Sequence, residues 1–235
     1  AMGRSSIDRT RQRLRPLISL FASLMLLLLL GPVFKQRVFG VPVLGFLFSL
    51  VAAASVIASA RSRLLFWISV LLALPMLGAL WSEPIFVMRS VNAASLGIRF
   101  VFLMFVCGVI LTGVLRDRVV TLDTIAGAAS VYLLFGAAWA CLFGFVQQLN
   151  PDSFFIPQGW EVAAATEMES MPPLIYFSFA TLTTVGYGDI HATSALPANL
   201  AVVEAITGQL YLTVLVARLV SLQNSQSERT RYRPT

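Results

Sequence analysis

Long apolar runs, each closed by a short polar or charged connection, set the pattern of this chain. Segments long enough to cross roughly 30 Å of hydrocarbon as helices run from about Pro16 to Phe34, Val41 to Ala60, Leu64 to Trp81, Ser95 to Leu115, Thr124 to Leu149 and Pro197 to Leu222. The pattern predicts an all-α membrane protein with six transmembrane helices. Between the last two runs, Pro172 to Thr183 is apolar but too short to span. It suits a re-entrant half-helix opened by Pro172-Pro173 in its first turn, where the missing N–H groups cost nothing. The C-terminal end of such a half-helix points a negative dipole inward.

Composition removes the soluble classes. With 57% hydrophobic and 12% charged residues and a mean hydropathy of +0.81, the chain is too apolar for a soluble domain of its length. A formal net charge of +6 does not point to nucleic acid, because the arginines stand at the ends of apolar runs rather than on an interleaved aromatic and basic face. Arg4, Arg9, Arg11, Arg13 and Arg15, then Arg61 and Arg63, Arg116 and Arg118, and Arg218, Arg229, Arg231 and Arg233 all fall on one side of a six-span topology. Only Lys35, Arg37 and Arg89 fall on the other. Both termini are therefore expected in the cytoplasm of a bacterial plasma-membrane protein. The first run could instead be a signal peptide, but no small-x-small cleavage site follows Pro32-Val33-Phe34-Lys35. Cys107 and Cys141 lie inside apolar runs without metal-ligand spacing and read as small buried hydrophobes. The opening Ala1-Met2-Gly3 reads as a start methionine with one residue ahead of it.

Against this background Thr183-Thr184-Val185-Gly186-Tyr187-Gly188-Asp189 stands apart. Gly186 and Gly188 enter positive-φ conformations cheaply, so successive carbonyls there can turn toward one axis. The heptapeptide resembles the selectivity filter of potassium channels, whose main-chain oxygens replace the water an ion sheds. From about Thr124 to Leu222 the chain resembles the pore domain of the tetrameric potassium channels: outer helix, pore helix, filter and inner helix. With four helices ahead of it, the whole resembles six-helix bacterial channels of the voltage-gated-like superfamily, a likeness carried by helix count and topology. Accordingly 1–15 and 223–235 read as basic cytoplasmic tails, 16–118 as a four-helix shell and 119–222 as the pore domain. The resemblance implies a homotetramer in which Thr184, Val185, Gly186, Tyr187 and Gly188 coordinate potassium through main-chain oxygens, the Thr184 hydroxyl adding to them. Potassium ions would then be the cargo, and no other cofactor is expected. Tyr187 would pack away from the axis in an aromatic cuff.

The same resemblance pairs Asp189 with an aromatic donor in the pore helix. Tyr176 occupies that position, where many members have Trp, and the alternative is a hydrated Asp189. Ala180 stands where some relatives carry Glu, so a carboxyl pair behind the filter is absent. Glu204 lies inside the last apolar run, where a carboxylate is costly and is a functional candidate by default. Near filter height, it is expected to face the pore helix and bond Thr181 or Thr183, steadying the filter; a neutral buried Glu with only a packing role is the alternative. Gly208 stands at the position of the inner-helix hinge, although close helix packing would also explain it. Aligning on Gly208 places Gln209, Leu212, Val216 and Val220 at inward-facing spacing, with Val216 and Val220 as a hydrophobic constriction. His191, the sole histidine, would surround the outer entrance in four copies, either simply solvated or able to repel potassium when protonated and to bind zinc. Asp152, Glu161, Glu167 and Glu169 make the outer connection acidic and would concentrate cations modestly.

Voltage sensing is not expected. Moving one charge through the field yields only about 2.3 kcal/mol per 100 mV, so several arginines at helical spacing are needed. The fourth run has Arg99, with Arg89 and Arg116 near its ends, and Glu83 is the sole acid near the second and third runs. Arg99 should snorkel or pair locally. The tail 223–235 is too short for a nucleotide-binding or ion-sensing domain, so opening would depend on lipid, pH, ion occupancy or a partner; arginines in both tails could hold anionic lipid headgroups. Gly186-Tyr187-Gly188-Asp189 also fits the GxGD pattern of intramembrane aspartyl proteases, but Asp117 and Asp123 lie across the membrane from Asp189 and no other run contains Asp. A non-selective cation channel and a non-conducting scaffold are the remaining alternatives.

Overall fold

A computed structural model describes residues 15–34, 49, 63–82, 89–116, 120–158 and 167–231. Among these, six α-helices carry the fold: α1 (Arg15–Phe34), α2 (Arg63–Ser82), α3 (Arg89–Arg116), α4 (Leu122–Leu149), α5 (Glu167–Leu182) and α6 (Ala195–Arg231). Two-residue strands β1 (Phe154–Phe155) and β2 (His191–Ala192) pair antiparallel. Segments of α3, α4 and α6, namely Asn92–Arg116, Leu122–Leu149 and Ala195–Leu222, are long and apolar enough to cross a membrane. The first and third expected spans are helical as α1 and α2. The second, from Val41 to Ala60, falls outside the described residues apart from Ser49, as do Glu83, Asp117, Arg118 and Glu161.

α4 is the hub, packing against α1, α3, α5 and α6. Its N-terminus is set by Thr121, whose hydroxyl oxygen accepts from the Thr124 amide at 3.2 Å, with Asp123 placed favourably against the helix dipole. α3 presents Leu96, Phe102, Leu103, Val106, Ile110 and Val114 on one helical stripe, all buried against α4 residues that include Val131, Leu134, Ala138 and Cys141. Arg99 lies on this stripe and is only 2% exposed. It is turned into the helix packing, so the snorkelling expectation gives way to a local interaction. Only residues 117–121 separate α3 from α4, and the two pack together within one chain.

The half-helix departs from expectation at its start. α5 begins at Glu167, so Pro172 and Pro173 lie inside the helix rather than in its first turn. Proline's fixed φ is itself helical, which lets the pair continue the helix. A second core forms where α5 meets the C-terminal half of α4: Trp139, Phe143, Phe154, Leu174, Phe177 and Ile190. Phe143 and Phe177 meet edge to face at 5.1 Å, and Phe154 meets Phe177 likewise at 5.3 Å. This aromatic knot holds α5 in place and fastens the chain on both sides of 183–189.

Candidate functional site

The segment leaving α5 folds back onto the end of its own helix. The Thr183 amide donates to the Phe179 carbonyl at 3.0 Å, Thr184 to Thr181 at 2.9 Å, and Val185 and Gly186 both donate to Ala180, at 2.9 and 3.1 Å. Carbonyls that a helix C-terminus leaves unpaired are thereby satisfied, and four successive amides are committed to one side. Backbone handedness then alternates. Thr184, Gly186 and Gly188 have φ of 59°, 56° and 77°, while Val185 and Tyr187 between them stay out of the positive region. Alternation of this kind gives an extended ribbon with amides on one edge and carbonyls on the other. Among the described residues, the carbonyls of 184–187 accept no hydrogen bond from within the chain. Thr184 is β-branched and ill suited to φ 59°; a residue held there against its preference marks a segment whose shape serves function.

The exit from this ribbon is anchored. Tyr176 donates to Asp189, its hydroxyl lying 3.2 and 3.0 Å from Oδ1 and Oδ2, and the Ile190 amide donates to Oδ1 at 3.0 Å. The rings of Tyr176 and Tyr187 stack at 6.3 Å with 8° between planes. β2 continues from here and pairs Phe155 with His191 and Phe154 with Ala192. The Thr193 amide donates to the Ser153 carbonyl at 2.9 Å, and the Thr193 hydroxyl to the Asp152 carbonyl. His191 stacks on Phe155 at 5.0 Å and brings Nδ1 within 3.3 Å of the Gly188 carbonyl oxygen. Within one chain Val185 is 53% and Tyr187 73% exposed.

Behind the ribbon the structure corrects the expected partner of Glu204. Neither Thr181 nor Thr183 reaches it. Glu204 is fully buried and its Oε1 lies 2.5 Å from the Ser178 hydroxyl. The reason is helical phase: Leu174, Ser178 and Leu182, four residues apart, share the buried face of α5, and Thr181 is rotated off it. The Thr183 hydroxyl turns back to donate to the Phe179 carbonyl at 2.6 Å. Ser178 also reaches the Gly136 carbonyl of α4, at 2.8 Å.

Gly208 serves a close approach. A Cβ at this position would stand 2.6 Å from Leu182 Cδ1 and 2.9 Å from the Leu182 carbonyl oxygen, and α6 runs unbroken through it. Packing, rather than a bend, explains the glycine in this structure. Gln209, Val216 and Val220 are exposed within one chain and Leu212 is half-buried, while Tyr211 on the packed face donates to the Ala128 carbonyl at 2.7 Å. Arg218 donates to the Leu115 carbonyl at the end of α3. The Leu182 carbonyl receives the Tyr132 hydroxyl at 3.1 Å. Sequence reasoning missed Ser178, Tyr132, Tyr211 and the aromatic knot. Ser178 was marked only by a hydroxyl interrupting an otherwise apolar stripe, and the tyrosines by nothing but long-range contacts. Among the described residues no group of His, Cys, Asp and Glu could hold a metal ion.

Residues 119–223 match the protein-family model described as ion channel, so an ion-channel domain covers α4, α5, the ribbon and most of α6. That family is one of channels and not of enzymes, which sets the aspartyl-protease alternative aside. No curated protein and no solved structure compared with the chain matches it.

Proposed function

We propose, taking the ion-channel domain at residues 119–223 as premise, that this chain is one quarter of a homotetrameric potassium-selective channel in a bacterial plasma membrane. The observation carrying this reading is the alternating φ of Thr184, Gly186 and Gly188, with the intervening amides fastened to the end of α5. One free edge of carbonyls results, and four such edges around an axis would replace the hydration shell of a dehydrated cation at successive levels. The carbonyls of Thr184, Val185, Gly186, Tyr187 and Gly188 would coordinate potassium, with the Thr184 hydroxyl below them. Val185 and Tyr187, uncovered in a single chain, would be covered by neighbouring copies. The end of α5 beside this segment would add a negative dipole. Val216 and Val220, with Gln209 and Leu212, would line the route to the cytoplasm.

The shell would sense voltage weakly at most, since Arg99 is buried in the α3–α4 packing and α3 lacks a series of arginines. Reversal potential measured for the purified protein in planar bilayers, with potassium opposed by sodium, tests the reading. A value near the potassium equilibrium potential supports it. Reversal near zero would establish the non-selective alternative, and open probability across voltage from the same records would expose a sensor.

Two residues at the outer mouth have roles that can be read from such currents. Tyr176→Phe removes the hydroxyl that holds Asp189, so current should decay severalfold faster during sustained opening, by loss of a charge-assisted bond. Unchanged decay would remove Asp189 from filter support. His191, beside the Gly188 carbonyl, should confer block by external acid or zinc. Block of equal strength in His191→Ala would exclude it.

A further inference from the structure

Three helices meet at one buried serine. Ser178 of α5 lies 2.8 Å from the Gly136 carbonyl of α4 and 2.5 Å from Oε1 of Glu204 in α6. Ser178 and Glu204 are both fully buried. A serine hydroxyl has one proton and two lone pairs. It cannot donate to the Gly136 carbonyl and to an ionised Glu204 together. If Glu204 were ionised, one of these two acceptors would face the serine oxygen without a proton between them. The remaining oxygen, Oε2, is buried without a hydrogen-bond partner, and among the described residues no cation pairs with the carboxylate. Tyr132, a titratable group near Glu204, directs its hydroxyl to the Leu182 carbonyl instead. A carboxylate stranded in this way carries a full desolvation penalty with one bond to offset it.

One arrangement gives each hydroxyl proton at the junction an acceptor and leaves no buried charge. A neutral Glu204 donates its own O–H to Ser178 Oγ, and Ser178 donates its hydroxyl hydrogen to the Gly136 carbonyl. The uncharged C=O of the carboxyl then occupies the unpartnered position, where burial costs far less than for an anion. We propose that Glu204, uncharged, and Ser178 form a one-directional proton-donor relay that clips α5 between α4 and α6, and that this clip is a positioning device for the carbonyl ribbon. Ala180, whose carbonyl receives two ribbon amides, lies two residues beyond Ser178. Leu182, whose carbonyl touches the Gly208 site, lies four beyond. A rotation of α5 about its axis would therefore move both ends of the ribbon's attachment at once. The clip opposes that rotation one helical turn before the ribbon, at a fully buried position.

The proposal rests on the channel reading only for its conduction readout. The primary test is infrared spectroscopy of the purified full-length protein in liposomes at neutral pH, comparing wild type with Glu204→Gln. A protonated-carboxyl C=O stretching band present in wild type and lost in Glu204→Gln is expected; its absence from wild type overturns the neutral assignment whether or not the protein conducts. The second test reads sodium-to-potassium permeability. Glu204→Gln keeps a neutral donor and acceptor and should leave the ratio within about twofold of wild type, whereas Ser178→Ala, which strands both ends of the relay, should raise it about tenfold or shorten conduction as much. Ser178→Thr, retaining the hydroxyl, should recover most of the loss. Selectivity lost equally in Glu204→Gln and Ser178→Ala would show that the charge is required, and an unchanged ratio in Ser178→Ala would show that the clip does not position the ribbon. A wild-type protein without potassium selectivity would instead refute the channel reading, with the infrared result still deciding the state of Glu204.

Discussion

Gly186→Ala and Gly188→Ala are each expected to abolish potassium-selective current while leaving the chain folded and inserted. The positions have φ of 56° and 77°, and a Cβ at either meets nothing within 4 Å in one chain. Steric crowding inside the subunit is therefore absent, and the cost is conformational. Placing an L-side chain in the left-handed region costs roughly 1–2 kcal/mol per residue, incurred once per chain and about four times over in a tetramer. The alternation of handedness should therefore fail. The check is reversal potential together with rubidium flux into liposomes. Gly108→Ala is the control: this glycine lies within the helix of α3, also with open space around its Cβ position, and alanine is the better helix former by about 1 kcal/mol. Gly108→Ala should conduct and select normally. Similar losses in all three variants would deny the ribbon geometry its role.

The second large effect belongs to Gly208→Ala. Its added methyl would fall 2.6 Å from Leu182 Cδ1 and 2.9 Å from the Leu182 carbonyl oxygen. A leucine side chain can rotate aside, but a backbone carbonyl that also receives Tyr132 cannot move without disturbing the end of α5. Overpacking of this kind costs about 1–3 kcal/mol. Lower thermal stability of the purified protein and loss of current should therefore appear together. Adding Leu182→Ala removes the side-chain collision and leaves the carbonyl one, so the double variant should recover only part of the stability. A glycine kept solely for bending predicts otherwise: alanine there would change open probability with thermal stability intact or raised, because alanine favours helix. The melting temperature of the single and double variants separates these explanations.

The helices were legible because membrane-length apolar runs leave little choice of secondary structure: α1, α2, α4 and the start of α6 fall within about two residues of the expected ranges, while α3 begins at Arg89 rather than Ser95 and α6 runs on past Leu222. The ribbon was legible because two glycines one residue apart, in a short segment behind an apolar half-helix, constrain the backbone directly. Partners across the fold were not. That Glu204 needed a partner followed from burial, but which hydroxyl supplied it depended on the rotation of α5, which the sequence of a sixteen-residue helix does not declare. The start of α5 was misplaced for a related reason: a Pro-Pro pair marks a favoured helix start, and its tolerance deeper in the helix depends on how carbonyls one turn back are accommodated. Tyr132 and Tyr211 reach carbonyls 50 and 83 residues away, separations at which periodicity carries no information.

Leu96, Phe102 and Leu103 are fully covered by their own chain, whereas Val185 and Tyr187 are exposed in it and, in the proposed tetramer, would be covered only when another copy arrives. In such a tetramer the two halves of the molecule would mature by different routes. The α3–α4 core would consolidate as soon as a single polypeptide enters the bilayer, and the ribbon would acquire its walls only when subunits come together. A polypeptide with a faulty ribbon would consequently pass through insertion unhindered and join sound copies on equal terms. In cells making both, harm would spread beyond the faulty polypeptides themselves, since a single one would spoil the whole ring it enters.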